Sequence, residues 1–224
     1  RSTDGVTGKC IVLITPDAER SLNTHLGISE TLSTDEVDEA AIKGSEWIYL
    51  EGYLVTSPSG HAAALKTKAL AEAHGVKTAV SFSDPGMVKF FRDNMAAMVE
   101  GGVELVFSNE SEALEWGQCD DLDAAIEAIK SVARRFVITL GADGAVTWDG
   151  ETLHRVAAKP VEAVNTNGAG DMFAGAFLYA LSRGESDLRA TEYATLAAGE
   201  VVKYFGPRLE RDACLALRRQ FFGD

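Results

Sequence analysis

Cysteine is scarce in this sequence. Its 224 residues hold three, Cys10, Cys119 and Cys214, far apart and without CxxC or Cys/His spacing. That pattern excludes a disulfide framework and a structural zinc site, and it suits reduced thiols in a cytoplasm. Basic residues are in deficit as well: 21 Lys plus Arg stand against 34 Asp plus Glu, a net charge of −13. A chain with an isoelectric point near 4.8 repels phosphate backbones and anionic lipid at long range. Duplex nucleic acid and membrane surfaces are therefore excluded as main partners. No apolar run is long enough to cross a bilayer, and the opening stretch RSTDGVTGK carries no signal-peptide core. Internal repeats and low-complexity tracts are missing too.

What remains is ordinary globular material: 46% hydrophobic and 25% charged, long enough for one large domain or two small ones. From about Glu46 onward, short apolar runs alternate with amphipathic stretches. The residues predict strands at 47–54, 77–83, 103–109 and 135–141. They predict helices over 57–75, after the Asp84-Pro85 pair, and over 122–132, where Leu122, Ala125, Ile126, Ile129 and Val132 line one face. AVTWDGETLHRVAA reads as a hairpin turned at Asp149-Gly150. Past Asn167 the pattern is helical throughout: 168–183, 187–204 and 210–222. β-Branched, nearly uncharged strands alternating with helices predict a mostly parallel sheet covered on both faces, an α/β fold. The first thirty residues depart from this, reading as two strands joined by a Pro16-Asp17 turn.

The chemistry concentrates in VEAVNTNGAGDMFAGAFLYALSRG, residues 161–184. A strand-like start gives way to Asn165-Thr166-Asn167-Gly168-Ala169-Gly170-Asp171, and an amphipathic helix follows. Gly168, Ala169 and Gly170 have little or no side chain and fall where a helix begins. There, N–H groups lack intrahelical partners and the summed peptide dipoles place partial positive charge. The combination suits an anion, best a phosphoryl group. A carboxylate beside it repels a resting phosphate, so Asp171 makes chemical sense as the acceptor of a proton from an attacking alcohol. The plainer reading has Asp171 holding the helix start and the glycines allowing close packing; the strand-to-helix setting favours the catalytic one.

Residues 165–171 resemble the C-terminal signature of the PfkB-type (ribokinase-like) carbohydrate and nucleoside kinases, Asp/Asn-Thr-x-Gly-Ala-Gly-Asp. SNESEAL (108–114) resembles that family's Asn-x-x-Glu element, and ITLGADGAV (138–146) its Thr-x-Gly-x-x-Gly turn. TPDAERSLNTHLG, LEGYL, SDPGMV and AAGEVVKYFGPR look most like the adenosine-kinase-like and sugar-kinase branch. The resemblance implies a ribokinase-like fold with a helical C-terminal part, residues 1–30 as part of a β lid, and 31–224 as the α/β kinase core. It implies ATP- and Mg²⁺-dependent transfer of a γ-phosphoryl group to a primary alcohol of a nucleoside, adenosine first, or of a sugar. In that reading Asp171 is the general base and Gly168, Ala169 and Gly170 form the anion hole. Asn109 and Glu112 arrange the water shell of Mg²⁺, while Thr139, Gly141 and Gly144 lie along ATP. Asn165, where many relatives carry Asp, neighbours a monovalent cation such as K⁺. The family's first strands, a Gly-Gly segment that grips substrate hydroxyls and much of the lid have no counterpart here, so the intact protein is expected to be longer. Monomer and homodimer both stay open. The alternative function is a catalytically silent nucleotide-binding or interaction module. A dinucleotide-dependent oxidoreductase fails because no GxGxxG follows a first strand.

Other conspicuous residues take structural readings. His25, His61, His74 and His154 share no spacing, and only His25, in the lid-like segment, is a candidate for substrate contact. Asp84 is expected to cap its helix, and Glu51, interrupting an apolar strand, needs a hydrogen-bond partner. Arg20 is expected to form a local salt bridge, and Trp116 and Trp148 to pack. In TDEVDEAA the acidic residues fit a helix start capped by Thr34.

Overall fold

A computed structural model describes residues 4–15 and 20–223. The Pro16-Asp17 turn and the side chain of Arg20 lie outside the described residues. The chain divides into two compact units, residues 1–10 with 24–138, and 11–23 with 139–224. Strands β1 (Thr7–Ile14) and β2 (Arg20–Gly27) pair as a separate two-stranded sheet.

In the first unit, β3 (Trp47–Glu51), β4 (Lys77–Ser81), β5 (Val103–Asn109) and β6 (Ala133–Thr139) lie side by side in that order. β3 and β4 are parallel with Trp47 opposite Lys77 and Glu51 opposite Ser81; β4 and β5 are parallel with Ser81 opposite Phe107. Successive side chains of a strand point to opposite faces. Ala79 and Val80, Leu105 and Val106, and Phe136 to Ile138 are all buried, so both faces are covered. α2 (Pro58–Ala73) packs on β3 and β4 and α5 (Glu110–Gly117) on β5, and α1 (Glu39–Lys43), α3 (Pro85–Phe90), α4 (Arg92–Val99) and α6 (Leu122–Lys130) pack among the helices of this unit. Caps explain where these helices begin. Ser57 accepts from Gly60 N–H, Asp84 from Gly86 N–H and Asp121 from Ala124 N–H.

Two expectations need correction. The strand predicted over 47–54 stops at Glu51, and Gly52–Thr56 coils as a 3₁₀ turn. Gly52 crosses the end of β4 so closely that a Cβ would lie 2.6 Å from the Phe82 carbonyl. Its N–H donates to Ser83 Oγ at 2.8 Å, and the same hydroxyl donates to Glu51 at 3.0 Å, the partner Glu51 required. The acidic helix start is capped by Ser33, not Thr34. Ser33 and Glu36 close a capping box on a short 3₁₀ turn, and Asp38 then caps α1 separately.

The second unit contains the antiparallel pair β7 (Ala145–Trp148) and β8 (Leu153–Val156), followed by α7 (Ala169–Ser182), α8 (Asp187–Val201) and α9 (Arg211–Phe222). The parallel strands of the first unit and this hairpin make the α/β fold a mixed one. α7 packs on α8 through small buried residues, Ala174 and Ala180 on one helix, Ala190, Ala194 and Ala197 on the other. Small side chains let two helix axes approach closely, and Phe177 of α7 is fully buried with its ring stacked on Phe173. α8 ends at Val201, three residues short of the predicted Tyr204. Phe222 of α9 meets Tyr193 of α8 at 4.7 Å between ring centroids, and the Arg183 guanidinium lies 4.6 Å from the Phe222 ring.

Candidate active site

Gly168 starts the site. It is the N-cap of α7, sits in the left-handed region at φ 80°, and offers no side-chain cap. Helices α1, α2, α3, α5, α6 and α8 have a capping side chain, whereas α7 shares its bare start with α4 and α9. Ala169 N–H donates to the Thr166 carbonyl at a long 3.3 Å, so one of the expected anion-hole amides is already engaged. Among the described residues the N–H groups of Gly170 and Asp171 have no acceptor. A Cβ at Gly170 would meet nothing within 4 Å, which leaves its amide open to a ligand.

Asp171 occupies the third position of α7 and is exposed. An acidic residue there commonly turns back to cap its own helix. Among the described residues nothing hydrogen-bonds or ion-pairs with this carboxylate. The plainer reading, in which Asp171 holds the helix start, therefore has no contact to carry it. Buried Asn165 uses its Oδ1 to accept from Asn167 N–H at 2.9 Å, closing the turn that delivers Gly168.

In the same unit, Thr139 ends β6 and Gly141–Asp143 forms a 3₁₀ turn leading into β7. Gly144 is required by packing, because a Cβ would come within 2.0 Å of the Val156 carbonyl oxygen. Gly141 is exposed, with nothing within 4 Å of an added Cβ. Open space thus lies over Gly141 and Gly170, whereas Gly144 and Gly168 are packed against backbone.

In the first unit, Asn109 and Glu112 are brought together at the carboxyl end of β5. Asn109 N–H and Nδ2 donate to the two carboxylate oxygens of Glu112 at 2.9 and 2.7 Å, and Glu112 N–H donates to Asn109 Oδ1 at 2.8 Å. The pair is a capping box, with Glu112 only 5% exposed. Asx-x-x-Glu opening a helix is a legible capping signature, and the sequence reading missed it. Val202 and Pro207 lie in AAGEVVKYFGPR, which the sequence marked only as resembling the family branch; their backbones meet the glycine turn. The four histidines take structural or surface places: His61 meets the Asn94 carbonyl, His74 pairs with Glu39, His154 with Asp149, and His25 is exposed.

The family model for the pfkB family carbohydrate kinases matches residues 1–214. The chain belongs to the pfkB family. This pfkB chain is 29% identical to the adenosine kinase of Saccharomyces cerevisiae over 217 residues, covering 90% of the chain and 62% of that protein. With the adenosine kinase of Schizophyllum commune it shares 30% over 227 residues, 91% of the chain and 65% of that protein. Among solved structures it resembles the adenosine kinase from Sinorhizobium meliloti, with a TM-score of 0.91 and 33% identity over 96% of the chain and 66% of that structure. The pfkB chain thus spans just under two thirds of the length of these relatives.

Proposed function

We propose that this pfkB chain carries the phosphoryl-transfer site of an ATP-dependent kinase acting on a primary alcohol of a nucleoside, adenosine first, or of a sugar. The observation that carries the proposal is the start of α7. An exposed carboxylate without partners among the described residues stands beside open, unpaired amides at a helix N-terminus. The amides stabilise charge on the phosphoryl group as it is attacked, while Asp171 takes the proton from the attacking hydroxyl. Adenosine is placed first because relatives matching nine tenths of the chain are adenosine kinases.

The donor chemistry suits Mg²⁺, a hard cation that keeps most of its water and takes few protein carboxylates. Asn109 and Glu112 bring an amide and a carboxylate together at one helix start, oxygen-donor chemistry suited to orienting metal-bound water. When bound, Mg²⁺ neutralises charge on the phosphates. Thr139 and Gly141 border the nucleotide in this reading, and residues 1–30, with their separate two-stranded sheet, belong to the lid. A monovalent cation near Asn165 completes it: faster turnover in potassium than in choline supports that element, and equal rates remove it.

Replacing Asp171 with Asn tests the core. It is expected to lower kcat by about 10²–10⁴ while ATP binding persists. Wild-type turnover in that variant sinks the general-base role. ATP binding without turnover in the unmutated protein, across a panel of nucleosides and sugars, returns the silent-module reading.

A further inference from the structure

We infer that Pro207 is a positioning residue for the phosphoryl-binding turn, an inference that rests on the kinase reading above. Buried Gly168 sits directly on this proline's backbone: an added Cβ would lie 2.2 Å from the Pro207 carbonyl oxygen and 2.7 Å from its Cα. Backbone lies on backbone with no side chain between, so the height of Gly168 follows the path of residue 207. The loop after α8 also holds the other end of the turn. The Val202 carbonyl accepts from Val164 N–H at 2.8 Å and from Asn165 N–H at 3.1 Å. Val202 and Pro207 thus bracket residues 164–168 and set where the open amides of Gly170 and Asp171 point.

Between the two supports, Lys203 and Tyr204 are tied back to α8 through their N–H groups and through the Glu200 carboxylate, so the stretch with least to fix it is Phe205-Gly206. Tyr204 and Phe205 are 51% and 77% exposed, and Gly206 takes φ 115° with open space around it. Proline at 207 locks its own φ near about −65°, which restricts the backbone carrying the contact with Gly168. Its ring is exposed, so a change of side chain there leaves the core of the unit intact. Amides that stabilise developing charge must be aimed to within a fraction of an ångström, and a misplacement of about 1 Å can cost on the order of 10²-fold in rate.

The test is Pro207→Gly, which frees the backbone under Gly168, with Pro207→Ala as the milder change. Amide hydrogen exchange is read at Asn165, Asn167 and Ala169, whose N–H groups are hydrogen-bonded within the turn or to Val202, and, as a control, at Ala194 in α8. The kinetics of ATP and adenosine turnover are measured in parallel. The expected result is exchange at those three amides faster by about tenfold, with Ala194 unchanged. With it, kcat falls by about tenfold, both KM values stay within about twofold, and the alanine variant falls in between. Unchanged exchange at those three amides overturns the brace whatever the activity. Faster exchange with full kcat overturns its role in the reaction. Faster exchange in a chain whose unmutated form phosphorylates nothing supports the brace and overturns the kinase reading instead.

Discussion

Gly168 and Gly170 stand two positions apart under opposite constraints. At Gly168 an alanine side chain would collide with the Pro207 backbone and would have to hold a positive φ. Gly168→Ala is expected to cost at least about 1–2 kcal/mol, from the left-handed penalty alone, read by urea denaturation. At Gly170 the added methyl meets no protein atom and adds helix propensity, so Gly170→Ala should leave stability unchanged or raise it by up to about 1 kcal/mol. If the open space belongs to the phosphoryl group, the same variant loses on the order of 10² in kcat. A Gly170→Ala protein with full activity would place the ligand elsewhere. Asp171 was legible because its neighbours along the chain define a helix start. Pro207 was not, since nothing local marks which distant backbone will lie against a glycine.

Among the elements, α5 and the β7–β8 hairpin each depend on one polar side chain. Asn109→Ala removes the Oδ1 cap of α5 and the Nδ2 donor to the buried Glu112 carboxylate, and leaves the backbone N–H of residue 109 in place. About 2 kcal/mol is expected, the upper end for a cap, because a buried carboxylate loses a hydrogen bond as well. In the hairpin turn, Asp149 accepts from Thr152 N–H at 2.7 Å, from His154 Nε2 at 2.9 Å and from Glu151 N–H at 2.8 Å. These bonds, Thr152 first, hold its carboxyl down at about 2 against the usual 3.8. The folded state thus binds this proton more weakly than the unfolded chain. The stabilisation is complete above about pH 4 and is lost as pH falls through about 2. The stability gap between wild type and Asp149→Asn should therefore shrink from about pH 5 to about pH 2.5, and a gap independent of pH would contradict the turn geometry. Most element positions were legible from periodicity and caps. The break after Glu51 was not, because Ser83, thirty-two residues further on, supplies the bond that turns the chain.

For the whole molecule, the net charge of −13 governs behaviour in solution. Solubility is expected to pass through a minimum near the isoelectric point of 4.8, and retention on duplex DNA at physiological salt should be negligible. Salt-sensitive DNA binding in a shift assay would contradict the charge argument. No helix among the described residues is long and apolar enough to cross a membrane.

The sequence by itself determined the α/β class, the order of most elements, and the motif at 165–171. These depend on periodicity, turn chemistry and short-range spacing, which act between neighbours in the chain. Only the tertiary structure decided that Ala169 is partly engaged and that Gly170 faces open space. It also decided that Asp171 is left without a partner among the described residues, and that Pro207 lies under Gly168. Those outcomes depend on which distant backbone comes within a few ångströms, and packing sets that distance after the local pattern has done its work.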